Sequence, residues 1–246
     1  MSNRVLLIQA GSSPAEIMET HGDLVNWFSS ALSSLNTSID VVAPFKGETL
    51  PPPNQHKVAI ITGSWSMVTD QLDWSERTAD WIRSAVSQNM PIFGVCFGHQ
   101  LMSYALGGKV GFHPQGREVG SQRIALTDKA KEDPLLKNVD GPFWAHLTHL
   151  QSVLEEPEDA IVLGYSQHDS KQIIRYSDSA ISTQFHPEMT LEIASSLIDF
   201  REAVLSSEGF DISFLKQQLR AAPIASQLFL SFIAQYLTHY TTRRTL

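Results

Sequence analysis

The chain has 246 residues, 42% hydrophobic and 18% charged, with a single cysteine, Cys96. A chain of this length buries about 70–75% of the surface its unfolded form exposes, so it folds without staples. One cysteine excludes an internal disulfide and a thiolate-rich structural zinc site, and no metal or cofactor is expected. Eighteen Lys+Arg against 26 Asp+Glu give a net charge of −8, and no basic run exceeds Arg243-Arg244, which disfavours nucleic-acid binding.

The first apolar run, Val5-Leu-Leu-Ile8, is too short for a signal sequence and is closed at once by Gly11-Ser-Ser-Pro14. It reads as a buried strand ending in a turn. No stretch approaches the ~18–20 continuous apolar residues of a membrane span, so a cytoplasmic protein without membrane contact is expected. A helical pattern follows through Leu24, Val25, Phe28, Leu32 and Leu35, then strands at Ile39–Ala43 and Val58–Thr62, with a loop between them at Pro51-Pro-Pro53. Asp73 with Glu76 predicts a capping box opening a helix through Trp74, Trp81, Ile82 and Val86. Pro91–Val95 restarts a strand, and Gly98–Leu106 reads as a helix stopped by Gly107-Gly108. Continuous apolar strands alternating with helices predict a parallel sheet covered on both faces.

After residue 108 the pattern changes to short β-like pieces at Arg123–Leu126, Ala160–Leu163, Gln172–Arg175 and Ile181–Phe185, with turns such as Gly141-Pro142 between them. These read as antiparallel additions to the same sheet. Two or three helices end the chain, the last opened by Pro223 with an apolar stripe at Ile224, Leu228, Phe232, Ile233 and Tyr236. Such a stripe packs on its own core; a homodimer face is the alternative.

Cys96 lies in Gly94-Val-Cys-Phe-Gly98, at the end of an apolar run and just before a helix. Flanking glycines are what a sharp strand-to-helix turn requires when it thrusts a nucleophile outward. A helix N-terminus there favours thiolate over thiol; the plainer alternative is an inert buried cysteine. Of the nine histidines, His21, His56, His113, His168 and His239 lie in loop-like or helical surface contexts and read as solvated. His186 instead ends an apolar strand, and Glu188 two residues on shares its side in extended backbone, close enough to hold the imidazole's tautomer. A Cys-His-Glu set follows.

Gly94-Val-Cys-Phe-Gly-His-Gln100 together with Gln184-Phe-His-Pro-Glu188 resembles the paired signature of class I glutamine amidotransferases of the triad type. Thr62-Gly-Ser64, Gly107-Gly108 and Thr148-His-Leu-Gln-Ser-Val153 extend the match, which looks most like stand-alone relatives of the amidotransferase domain of GMP synthase. The resemblance covers about residues 4–205 and implies a single domain over 1–246, with a C-terminal helical extension from about 206. The fold class expected is α/β: a flavodoxin-like three-layer sandwich with a mostly parallel central sheet and antiparallel additions in its second half.

By the same resemblance, Cys96 attacks the side-chain amide of glutamine, His186 passes a proton to the departing ammonia, and Glu188 orients His186. Backbone N–H groups of Gly63 and Phe97 form the oxyanion hole. Ser64, Gln100, His149, Leu150 and Gln151 surround the bound glutamine, with packing behind the site as the other reading of His149. The oxyanion turn departs from the synthase pattern, carrying Trp65 where a proline is common. No Gly-x4-Gly-Lys-[Ser/Thr] or Ser-Gly-Gly-x-Asp-Ser phosphate loop occurs in the sequence, so ammonia would pass to a separate synthetase partner or to none. Hydrolysis of a γ-glutamyl peptide or amine is the alternative activity, and a non-catalytic regulatory subunit the third.

Overall fold

The computed structural model describes residues 4–53 and 55–238; His239 and Arg243-Arg244 lie outside them. The first half runs β1 (Arg4–Ile8), α1 (Ala15–His21), α2 (Leu24–Ala31), β2 (Ser38–Val42), β3 (Val58–Ile61), α3 (Asp73–Ser87), β4 (Ile92–Val95) and α4 (Phe97–Ala105). The second half runs β5 (Lys109–Phe112), β6 (Glu118–Leu126), β7 (Phe143–His149), β8 (Gln151–Glu155), β9 (Ile161–Tyr165), β10 (Ile173–Ser177) and β11 (Ala180–Thr183). It closes with α5 (Leu191–Phe200), α6 (Glu202–Ser207), α7 (Ile212–Gln217) and α8 (Pro223–Thr238).

Nine strands form one sheet in the order β2-β1-β3-β4-β11-β10-β9-β6-β7. The five from β2 to β11 run parallel, and the rest join antiparallel. Alternate residues of the apolar strands enter opposite cores, which is why these strands read as unbroken hydrophobic runs. Val5, Leu7, Ile60, Phe93 and Val95 face a core covered by α2 and α8. Leu6, Ile8, Ala59, Ile61 and Ile92 face the other, covered by α3 and α4. The expected flavodoxin-like, three-layer α/β architecture is what forms.

Several details differ from expectation. The strand at Ala180–Thr183 is antiparallel to β10 but parallel to β4, because the tight β10–β11 hairpin turns the chain back into the direction of the first-half strands. Not every added strand joins the main sheet, since β5 and β8 pair as a separate ribbon. The strands β5, β7 and β8, with their mixed polar and apolar residues, and the short helix α1 were not foreseen. Helix α2 stops at Ala31, and Leu32 and Leu35 reach the core from the turn beyond it.

No capping box opens α3. Its N-cap is Leu72, with Asp73 and Glu76 inside the first turn, where carboxylates favour the positive end of the helix dipole. Four helices, not two or three, follow the last strand among the described residues. The stripe on α8 packs on its own chain: the Phe229 ring lies 5.1 Å from that of Phe93 and 5.8 Å from that of Phe28.

Candidate active site

Three strand ends of the parallel sheet converge on Cys96. The residue caps α4 with φ 52° and ψ −101°, a left-handed conformation rare for a side chain larger than glycine. Such strain costs about 1–3 kcal/mol and persists only where the surroundings enforce it. The neighbouring glycines show what enforces it. A Cβ on Gly94 would stand 2.6 Å from Met102 Sδ and 2.7 Å from the Gly98 carbonyl oxygen, and one on Gly98 would strike the Ile61 carbonyl oxygen. Strand, elbow and helix pack too closely for either side chain.

The turn after β3 is tied to this elbow. The Gly98 N–H donates to the Thr62 carbonyl at 3.2 Å. The Thr62 hydroxyl accepts from Ala10 N–H at 3.0 Å and donates to the Gly63 carbonyl at 2.8 Å. Gly63 thereby lies against both reactive side chains, and a Cβ there would stand 3.1 Å from His186 Cε1 and 3.7 Å from Cys96 Cβ. Phe97 N–H belongs to the first turn of α4, whose amides have no intrahelical acceptor.

His186 follows β11, its backbone N–H donating to the His146 carbonyl at 2.9 Å. Its Nδ1–H donates to Glu188 Oε1 at 2.7 Å, with both side chains buried. Nε2 has no hydrogen-bond partner in the protein and is left for the thiol side of the ring. Burial pushes the Cys96 thiol up, but the facing His186 charge outweighs it and the thiol is lowered below its ordinary value. Burial pulls His186 down, and Glu188 and Cys96 more than reverse this, raising it to about 10. The stable form at neutral pH is a thiolate beside an imidazolium.

A second imidazolium lies behind the site. His149 Nε2–H donates to Glu118 Oε2 at 2.9 Å and Nδ1–H to the Gln151 carbonyl at 2.9 Å. An imidazole that donates from both nitrogens is protonated. Burial disfavours that charge, and the Glu118 carboxylate outweighs burial, so the His149 pKa is raised. The same Gln151 carbonyl accepts from Gln100 Nε2 at 2.6 Å, and Gln100 Nε2 also donates to Gln184 Oε1 at 2.9 Å. His99 is neutral, pulled down to about 3 by burial, and bonds Ser182 at 2.7 Å.

Two recesses meet at Cys96. Gln100, His149, Leu150 and Gln151 line one of them. The other, about 290 Å³, is bounded by His186, Gly63, Leu24, Trp27, Met189 and Leu197. Ser64, Trp65, Thr148 and Arg201 border both. Ser64 Oγ accepts from Ser66 N–H at 3.0 Å, so this hydroxyl holds the turn. A larger groove between residues 134–140 and α8 lies apart from every one of these groups.

All ten residues singled out from the sequence are thus brought to one place. The structure adds Glu118, Arg201 and a packing role for Trp65, which joins the apolar cluster of Ile17, Leu24, Trp27 and Leu197. No motif marks Glu118 or Arg201; the one available signal was the departure at Trp65. The four described histidines read as solvated are instead half-buried and engaged. His21 bonds Ser196, His56 bonds Asp40, His168 bonds the Gly116 carbonyl, and the His113 ring stacks 4.2 Å from that of His168. Each lies where two loops or a loop and a helix meet, so its ring is covered by the neighbouring segment. Among the described residues no cluster of side chains could hold a metal ion, and no helix is long and apolar enough to cross a membrane.

A strained cysteine between a parallel strand and a helix, served by a His–Glu pair, places the chain among α/β proteins built for thiol chemistry. The family model for glutamine amidotransferase class-I matches residues 17–204, and the chain belongs to that family. It is 28% identical to γ-glutamyl peptidase 2 of Arabidopsis thaliana over 80% of each chain. It is also 27% identical to the glutamine-hydrolysing subunit of GMP synthase from Ignicoccus hospitalis, over 63% of this chain and 80% of that one. A solved glutamine amidotransferase from Thermotoga maritima shares the fold with a TM-score of 0.77 at 18% identity, covering 96% of this chain and 98% of the other.

Proposed function

We propose that this chain, acting as one catalytic domain, hydrolyses γ-glutamyl amides through a thioester on Cys96. The observation that carries the reading is the strained Cys96 at the start of α4, facing a His186 whose Nε2 is free and whose Nδ1 is held by Glu188. The thiolate attacks the γ-carbonyl carbon, and the carbonyl oxygen becomes an oxyanion within reach of the Gly63 and Phe97 N–H groups. The C–N bond breaks as the proton on His186 Nε2 passes to the departing nitrogen. Water then loses a proton to His186 and attacks the thioester, releasing glutamate and restoring the thiolate–imidazolium pair.

Ser64, Gln100, His149, Leu150 and Gln151 shape the side that holds the glutamyl group. Glutamine is the leading substrate, with ammonia passed to a synthetase on another chain, as befits a likeness to the glutamine-hydrolysing part of a GMP synthase. The recess beside His186 favours a second reading, in which a γ-glutamyl peptide or amine leaves a larger group there. A free reactive thiol suits the reducing cytoplasm. Glutamate release from glutamine, γ-glutamyl dipeptides and γ-glutamyl amines, run with wild-type and Cys96→Ala protein, tests the reading. Turnover of at least one substrate that vanishes in the variant supports it; undiminished turnover in the variant refutes it, and no turnover by the wild type leaves the regulatory-subunit reading in its place.

A further inference from the structure

Arg201 stands at the junction of α5 and α6, capping the first helix and opening the second. Its guanidinium donates to the Thr148 hydroxyl, sits 6.0 Å from the Trp65 ring centroid and borders both recesses at Cys96. The neighbouring Arg117 is neutralised by Glu208 through two hydrogen bonds of 2.8 and 3.0 Å. Arg201 has no such partner among the described residues. Burial first, then the charge of Arg117, pulls it down to about 10, which leaves it charged at neutral pH with its cost uncompensated. A guanidinium carries five donors in a planar fork that matches a carboxylate. Trp65 Nε1 beside it is buried with no acceptor. Unspent donors of both kinds therefore border the reacting centre.

The division of the two recesses says which carboxylate fits. Gln100, Leu150 and Gln151 wall the side given to the glutamyl group, whereas His186 borders the other, and the leaving nitrogen takes its proton from His186. The departing group therefore projects into the recess of Leu24, Trp27, Met189 and Leu197, which ammonia would leave empty. We propose that Arg201, with Thr148 and Trp65 Nε1, receives the carboxylate of the departing group, so that the site takes γ-glutamyl amides of amino acids or short peptides with a free C-terminus. The apolar wall accommodates the side chain of that group. This inference rests on the Cys96 thioester reading.

The test compares γ-glutamylglycine with γ-glutamylglycinamide, which differ only in that carboxylate, using wild-type, Arg201→Gln and Arg201→Lys protein. Loss of a charged hydrogen-bond partner costs about ten-fold or more in kcat/KM. The wild type is expected to prefer the acid by at least about that factor, Arg201→Gln to bring the ratio near one chiefly through KM, and Arg201→Lys to recover part of it. Matching thermal unfolding of the variants excludes a fold defect. If the wild type turns over both substrates equally, or Arg201→Gln slows both equally, the assignment is overturned while the thioester reading stands. A wild type that turns over neither overturns both.

Discussion

Burial alone makes a thiol a poor nucleophile, and Cys96 is only 7% exposed. What reverses this is the charge of His186, which is in turn sustained by Glu188. The sign is testable. Cys96 is lowered and His186 raised, so the ion pair holds from below the ordinary thiol value up to about 10 and is lost as pH falls through the Cys96 pKa or rises through that of His186. The rate of alkylation by iodoacetamide should reach half its plateau below the ordinary thiol pKa. In His186→Ala the same midpoint should move above it, because burial is then unopposed; an unmoved midpoint would show that His186 does not supply the charge. Glu188→Gln keeps a hydrogen-bond acceptor and loses the charge, so it should lower kcat by less than Cys96→Ala or His186→Ala does.

At the scale of elements, the site depends on how closely β4, α4 and the turn after β3 approach. Gly98→Ala puts a methyl into the Ile61 carbonyl oxygen, backbone that cannot swing aside, and should destabilise by about 1–3 kcal/mol with the elbow distorted. Urea unfolding with a parallel activity assay reads both losses, and wild-type values in each would contradict the packing described. Gly94, Cys96, Gly98 and the His186–Glu188 pair were legible in the sequence because their constraints are local: glycine permits the turn, and residues two apart share a side. Glu118 and Arg201 were not legible. Their partners, His149 and Thr148, come from a strand brought near only by the folded sheet, and nothing in the residues beside them records that. The parallel direction of β11 escaped notice for the same reason, since strand direction is set by the preceding hairpin and not by composition.

At the scale of the molecule, the C-terminal helix is part of the main core. Phe229 and Phe232 on α8 are fully buried against Phe93, next to the strand that ends at the elbow, and Ser226 donates to the Pro187 carbonyl between His186 and Glu188 at 2.8 Å. Phe229→Ala should cost about 3–5 kcal/mol in urea unfolding, whereas a peripheral appendage would tolerate it within about 0.5 kcal/mol. The first-half alternation of strands and helices announced the layers correctly, and the helix that completes one of them was recognisable from its stripe. The central claim concerns a covalent bond. Acid-quenched mass spectrometry during turnover of a γ-glutamyl substrate should find a γ-glutamyl adduct on the peptide containing Cys96 and none in Cys96→Ala. An adduct on another residue, or turnover that persists in Cys96→Ala, would contradict the account.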